Sequence, residues 1–291
     1  MVGERKFDFA DACIYLIMFF TIVVTLYPVI YILSNSVSDM TAVMRNKVVL
    51  FPIGFDLSAY KNVLSNKFIW TGYRNSTFLL FVGTFINVIM TICAAFPLSR
   101  THFHFRKFFM IMIIFTMFFS GGMIPTFVIV DMLRLTDTIW SMVIPTAVSA
   151  INVIIMKSFF ESIPASLEEA MKIDGGTDFT VLFKLILPLS KPVLAVISLY
   201  YGVAHWNGFT SALIYIRTRS LFPLQVILRE MLLQNKLQEM ITVDAAAADA
   251  LGATRSIQYA TIIVSIIPML IIYPFLQKYF VKGVMIGAVK G

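Results

Sequence analysis

Charge is what this chain has least of: Asp, Glu, Lys and Arg supply 13% of its 291 residues, against about 25% in an ordinary soluble domain. With 59% hydrophobic residues and a mean hydropathy of +0.85, that shortage excludes water as the main solvent. Cysteine is nearly missing too. Cys13 and Cys93 both fall inside apolar runs, where a free thiol behaves as a small hydrophobe, so no disulfide or zinc framework is implied. There are three histidines; His102 and His104 stand one residue apart beside Arg106, with no third ligand nearby, and read as membrane-flanking residues rather than a metal site. No G-x-x-x-x-G-K-[ST] phosphate loop occurs, and Gly175-Gly176 is followed by Thr-Asp-Phe with no lysine to reach a phosphate. No H-E-x-x-H occurs either, and the carboxylates lie almost entirely outside the apolar runs, which argues against an intramembrane protease or lipid-modifying transferase. The net charge of +7 flanks the apolar runs without a basic stripe interleaved with aromatics, so nucleic acid is not an expected partner.

Long apolar runs are what the chain has. Six of them, roughly 12–33, 73–96, 108–130, 139–160, 192–216 and 257–280, are each long enough to cross a hydrocarbon core of ~30 Å at ~1.5 Å per helical residue. Lipid forces backbone groups to pair within a segment or a closed barrel, and the runs are continuous rather than alternating. The expected fold is all-α: a polytopic membrane protein with six transmembrane helices and one membrane domain over 1–291. The first run is too long for a signal-peptide core and has no small-residue cleavage site behind it, so it is read as a span and the mature chain is expected to start near Met1.

Lys and Arg in total divide almost evenly between the two sides, so orientation rests on the short loops. "SRTHFHFRK" holds Arg100, Arg106 and Lys107, whereas "DMLRLTD" holds only Arg134 with two Asp. Arg5 and Lys6 precede the first run, and the next cation is Arg45. Both termini and the 161–191 segment are therefore placed in the cytoplasm. Two long outer segments, 34–72 and 217–256, remain. "LFPLQVILREMLLQNKLQEM" and "DAAAADALGA" in the second carry helix formers, and short helices are expected there. No internal repeat is visible, and the one low-complexity patch is Ala245 to Ala248.

The polar, glycine-broken segment "SIPASLEEAMKIDGG" reads as a short cytoplasmic helix. Pro164 suits its first turn, Ser166 and Glu169 have capping-box spacing, and Gly175-Gly176 supplies the stop. Leu167, Ala170, Met171 and Asp174 are expected on one face, with Glu168 and Lys172 paired four apart on another. Such a short helix is marginal alone and needs something to pack against, either its own bundle or a partner.

Glu169-Ala170-Met171, three residues, Gly175, nine residues, Leu185, one residue and Leu187-Pro188 together resemble the EAA motif of permease subunits in bacterial ATP-binding-cassette (ABC) importers. Met171 stands for the second Ala and Leu185 for an Ile. Blocks along the chain from Asn75 onward are similar to the maltose-type carbohydrate branch: "AAFPLSRTHF", "GGMIPTFVIV", "LTDTIWSMVIP", "ILPLSKP", "HWNGFTSALIYI" and the terminal "KGVMIGAVKG".

The resemblance implies the type I ABC importer permease fold and a non-catalytic, multi-pass subunit of the bacterial cytoplasmic membrane. The solute would be a sugar, with a lean to oligosaccharides; a non-sugar solute on the same fold is the alternative. It also implies a second homologous permease as heterodimer partner, two ABC ATPases that bind ATP and Mg, and an extracytoplasmic solute-binding protein. By the same resemblance Leu167, Glu169, Ala170, Met171, Asp174 and Gly175 form a coupling helix seated in an ATPase cleft. A tail with Gly283, Gly287, Lys290 and Gly291, too glycine-rich for a stable helix, would reach between the ATPases.

"LYYGVAHWNGFT" places Tyr200, Tyr201, His205, Trp206 and Asn207 deep in the fifth run, and the two readings are helix packing and a translocation path. Asn87 and Asn152, within other runs, read as helix-gluing amides. Pro125, Pro145 and Pro268 are expected to bend runs three, four and six.

Overall fold

The computed structural model of the chain describes residues 9–241 and 248–288, and they fall into two compact units: residues 9–69 with 228–241 and 248–267, and residues 70–227 with 268–288. In the first unit, α1 (Phe9–Ser36) is apolar on every side and exposed along nearly its whole length. A helix of that kind is stable in lipid, where its backbone is already satisfied. Its hydroxyls follow the same rule: Thr21 and Thr25 donate to the carbonyls of Ile17 and Thr21 at 2.8 and 2.7 Å.

A serine-rich exit then folds the chain back. Ser34 Oγ donates to Leu50 O at 2.7 Å, and Ser36 Oγ pairs with Tyr60 OH at 2.7 Å. Asp39 caps α2 (Met40–Met44) by accepting from the N–H groups of Thr41 and Ala42. Those bonds, with the Thr41 hydroxyl foremost, hold its carboxyl below the usual range. Short helices, α2 and then α3 (Ser58–Ser65), also form in this segment, where the sequence had not marked them. Val43 and Val48 are buried here with Tyr259 packed against them, and Tyr259 meets Tyr31 edge-on at 6.0 Å.

In the second unit, the helix that runs into it, α4 (Lys67–Ser99), has 33 residues, roughly 50 Å of helix. One π-helical turn, Leu79–Gly83, interrupts it. The third apolar run divides into α5 (Arg106–Phe118) and α6 (Met123–Met132), which meet at 119°. The break is at Gly121-Gly122, with Gly122 at φ +83°; Pro125 sits inside the first turn of α6, so the bend lies before it rather than at it. The fourth run is a pair of 3-10 turns, the second holding Pro145, followed by α7 (Ala150–Glu161) at 52°.

After α8 (Ala165–Ile173), α9 (Asp178–Leu189) turns by 81° into α10 (Lys191–Asn207). The fifth helix therefore ends at Asn207, not Ile216. Gly208 and Phe209 break it, and α11 (Thr210–Tyr215) is separate. α12 (Leu224–Ile241) supplies one helix in 217–256, where short helices were expected, while Asp244 to Ala247 lie outside the described residues. The last helix, α13, runs Ala248–Ala288 and contains Pro268.

Among the described residues three helices are each long and apolar enough to cross a membrane, and the six spans expected are reached when each bent pair counts as one. One expectation changes. The tail is helical through Gly283 and Gly287. Each glycine costs ~1 kcal/mol against Ala, but extending an existing helix adds a hydrogen bond per residue without a new nucleus. Lys290 and Gly291 lie outside the described residues.

The core of the second unit joins α4, α7, α9 and α10 through Ala95, Leu98, Val153, Met156, Phe160, Val181, Ile186 and Ile197. Lipid tails are as apolar as these side chains, so close packing and interhelical hydrogen bonds hold this core more than the hydrophobic effect does.

Candidate functional site

Two features stand out in the second unit: the exposed helix α8 and a cavity lined by both polar and apolar side chains. The helix starts earlier than the capping-box pattern predicts. Pro164 is the cap residue itself, no side chain caps the end, and Ser166 is already inside the helix. Its C-terminus is as the glycines require. Gly175 has φ +83°, Gly175 N–H donates to Lys172 O at 3.0 Å and Gly176 N–H to Met171 O at 2.9 Å. This is a Schellman stop, in which the left-handed residue lets the chain reverse and two terminal carbonyls find donors.

The faces of α8 sort differently from the single stripe expected. Leu167, Glu169, Ala170, Asp174 and Gly175 are exposed, whereas Met171 turns inward against the core of α4, α7 and α9. The residue that replaces it on the outside is Ile173, 85% exposed, with Phe179 on α9 at 75%. Neither stood out in the sequence, although an isoleucine beside the Asp-Gly-Gly stop was the available signal.

Glu168 faces inward and is buried. One oxygen takes Nη1 of Arg100 and the other lies 3.3 Å from Lys172 Nζ, which also reaches Asp178 at 3.1 Å. Glu168 and Lys172 thus pair as predicted. Asp178 and then Glu168 hold the Lys172 ammonium above its usual range. A carboxylate so buried persists because it is paired. Arg100, 68 residues away in sequence, could not be found by local pattern.

The cavity, about 600 Å³, is lined among others by Asn87, Thr146, Ser149, Asn152, Tyr200 and His205. Gly83 makes room for it. A Cβ there would stand 2.8 Å from His205 Nε2, so the π-helical turn and the missing side chain together admit the imidazole. Asn87 Nδ2 reaches Thr146 O at 3.2 Å and His205 Nε2 at 3.3 Å, while its Oδ1 makes no hydrogen bond.

Tyr201 closes the wall by a chain of bonds. Ser149 N–H donates to the phenol oxygen at 3.0 Å, the phenol pairs with Thr91 Oγ1 at 2.7 Å, and Thr91 donates to Asn87 O at 2.7 Å. Since Thr91 spends its proton on Asn87, Tyr201 is the donor to Thr91. Of the five residues singled out on this helix, Tyr200, Tyr201 and His205 line the cavity. Trp206 is buried beside Tyr73, with rings 6.2 Å apart, and Asn207 is exposed at the helix end. Asn87 and Asn152 both face the cavity, and Asn87 also ties helices together through Thr146 and His205, a double role that sequence pattern does not separate.

Broken apolar helices around a cavity of mixed polar and apolar lining, with a short helix exposed beside them, fit a membrane transport protein of the permease class. The chain belongs to the family described as binding-protein-dependent transport system inner membrane component, whose model matches residues 69–286. It is 38% identical over 286 residues to the polygalacturonan/rhamnogalacturonan transport system permease protein YtcP of Bacillus subtilis, covering 97% of this chain and 98% of that one. It is 39% identical over 268 residues to protein LplC of the same organism, covering 92% and 90%. Among solved structures, a chain from a bacterial ABC transporter involved in the import of the acidic polysaccharide alginate matches with a TM-score of 0.86 and 36% identity, over 95% of this chain and 100% of that chain.

Proposed function

We propose that this chain is one half of the membrane passage of an ATP-driven importer of oligosaccharides, paired with a second, homologous permease. Its termini and α8 lie on the cytoplasmic side. There Leu167, Glu169, Ala170, Ile173, Asp174 and Gly175 seat in the cleft of an ABC ATPase, and the tail around Gly283 and Gly287 reaches toward the same subunits. ATP and Mg belong to those ATPases, and this chain supplies no catalytic group. Closure of the ATPases on ATP draws the docking helices together and tips the passage between inward-open and outward-open, a switch driven by tighter binding of ATP to one state. An extracytoplasmic binding protein delivers the cargo.

The observation that carries this reading is the EAA spacing placed on an exposed, glycine-stopped helix whose inner face is pinned by a buried ion pair. Support for a saccharide comes from the relatives that carry polygalacturonan or alginate in their names. It comes also from a cavity in which amide, hydroxyl, imidazole and phenol groups stand among Leu79, Met142, Val148 and Ile151, which suits hydroxyl-rich cargo with flat apolar ring faces. The test is uptake into proteoliposomes holding this chain with the permease, ATPases and binding protein encoded beside it. ATP-dependent uptake of labelled oligogalacturonides or related oligosaccharides is expected. Uptake of amino acids or phosphate with none of saccharide would refute the cargo assignment.

A further inference from the structure

We infer that Arg100 and Glu168 form a clasp that passes movement of α8 to α4, and so to the polar wall of the cavity. This rests on the docking reading of α8 and goes beyond it, because neither residue belongs to the docking face. Both side chains are nine-tenths buried, 10% and 11% exposed. Arg100 is fixed to α4 by its backbone and by the face of its guanidinium. It is the residue at which that helix ends, its N–H donates to Pro97 O at 3.1 Å, and its guanidinium lies over the Phe96 ring at 5.1 Å. Glu168 is fixed to α8 in the same way, its second oxygen being taken by Lys172 one turn on.

The two helices are thus joined through one charge-assisted contact, the strong and directional kind. From Arg100, α4 runs back to Thr91 and Asn87, which stand roughly 14 and 20 Å along the axis. Those two residues hold the Tyr201 phenol, the Thr146 carbonyl and the His205 imidazole. A continuous helix moves as a body over that distance, so a shift of α8 that carries Glu168 also carries Asn87.

A second feature is how little of the guanidinium the contact uses. Arg100 Nε and Nη2 are buried without any hydrogen-bond partner. They form one edge of the guanidinium fork, the edge that matches a carboxylate at two points. The pair therefore holds at a single point here, with the two-point edge of the guanidinium free of protein partners among the described residues.

The experiment uses the complete importer in proteoliposomes and reads saccharide taken up per ATP hydrolysed. Glu168→Gln is expected to keep the ATPases bound and hydrolysing while uptake per ATP falls by about tenfold, toward the low end of usual coupling between sites. Arg100→Lys, which keeps the charge and loses the fork, is expected to fall in between. The exchange Arg100→Glu with Glu168→Arg is expected to recover most of the loss. An unchanged ratio in Glu168→Gln would overturn the clasp, and so would loss of the ATPases from that variant, which would make Glu168 a docking contact. If Glu168→Gln fails to accumulate in the membrane, Arg100→Lys decides, and a wild-type ratio there would overturn it. Ile173→Glu, run alongside, tests the docking reading separately: ATPases retained at full strength in that variant would sink docking whatever Arg100 does.

Discussion

Gly175→Ala isolates the backbone at the end of the docking helix. A Cβ on Gly175 would meet nothing within 4 Å, so no steric clash contributes. The φ of +83° is the whole penalty, and a left-handed L-residue costs about 1–2 kcal/mol. That energy is drawn from the two Schellman bonds, Gly175 N–H to Lys172 O and Gly176 N–H to Met171 O. Loss of 1–2 kcal/mol is roughly a 5- to 30-fold change in the open fraction, read as faster hydrogen exchange in peptides covering 165–176 of the assembled importer. Leu at the same place should cost about as much as Ala, because both answer only to φ. Asn, which tolerates the left-handed region, should cost less. Exchange unchanged in Gly175→Ala, or a Leu variant far worse than Ala, would refute the reasoning. The neighbouring glycine makes the contrast: at Gly176 a Cβ would stand 2.7 Å from Met171 O, so there the penalty is steric and grows with size.

Tyr201→Phe removes the acceptor of the Ser149 N–H and the donor to Thr91. Loss of about 1–3 kcal/mol is expected for a buried group left unpaired, seen as a lower melting temperature in detergent than for Tyr200→Phe. Gly83→Ala drives a methyl to 2.8 Å from His205 Nε2. It should cost about 1–3 kcal/mol of overpacking, and ATP-dependent uptake should drop with the ATPases still bound. Asp137 accepts from the Thr218 hydroxyl and from the Thr218 and Arg217 N–H groups at 2.6, 2.8 and 2.9 Å. Those bonds, Thr218 foremost, hold its carboxyl below the usual range. A depressed carboxyl stabilises the fold above its unfolded pKa and loses that contribution as pH falls through the folded value. The Arg217 and Thr218 amides should therefore stay protected at pH about 4 and exchange freely only below it, the usual carboxylate value being about 3.9; opening between pH 5 and 6 would contradict this.

Much of the fold was legible because lipid imposes one rule everywhere: an apolar run long enough to span must be helical. That rule marked the six runs but not their breaks. Gly121-Gly122, Ser190 and Gly208 interrupt three apolar regions, and composition averaged over a window passes over a single residue. Pro125 drew attention as the obvious bend and proved to be a comfortable first-turn residue. On α8 the Glu168–Lys172 pair and the Gly175 stop were readable because both are local. The inward turn of Met171, the outward turn of Ile173 and the partnership of Glu168 with Arg100 depend on where α4, α7 and α9 pack, which no local pattern contains. The cavity was half legible. Tyr200, Tyr201 and His205 announced themselves as polar groups in an apolar run, while the opposite wall, Asn87 and Asn152, looked like ordinary helix glue.

The most direct test of the central claim is to place a photo-crosslinking residue at Ile173 in the full chain, expressed with its neighbouring genes, and to identify the product by mass spectrometry. A crosslink to a phosphate-loop ATPase, absent when the same residue replaces the exposed Phe119 far along the chain, is the predicted result. An Ile173 product confined to this chain or to lipid, with an ATPase present in the same membranes, would contradict it.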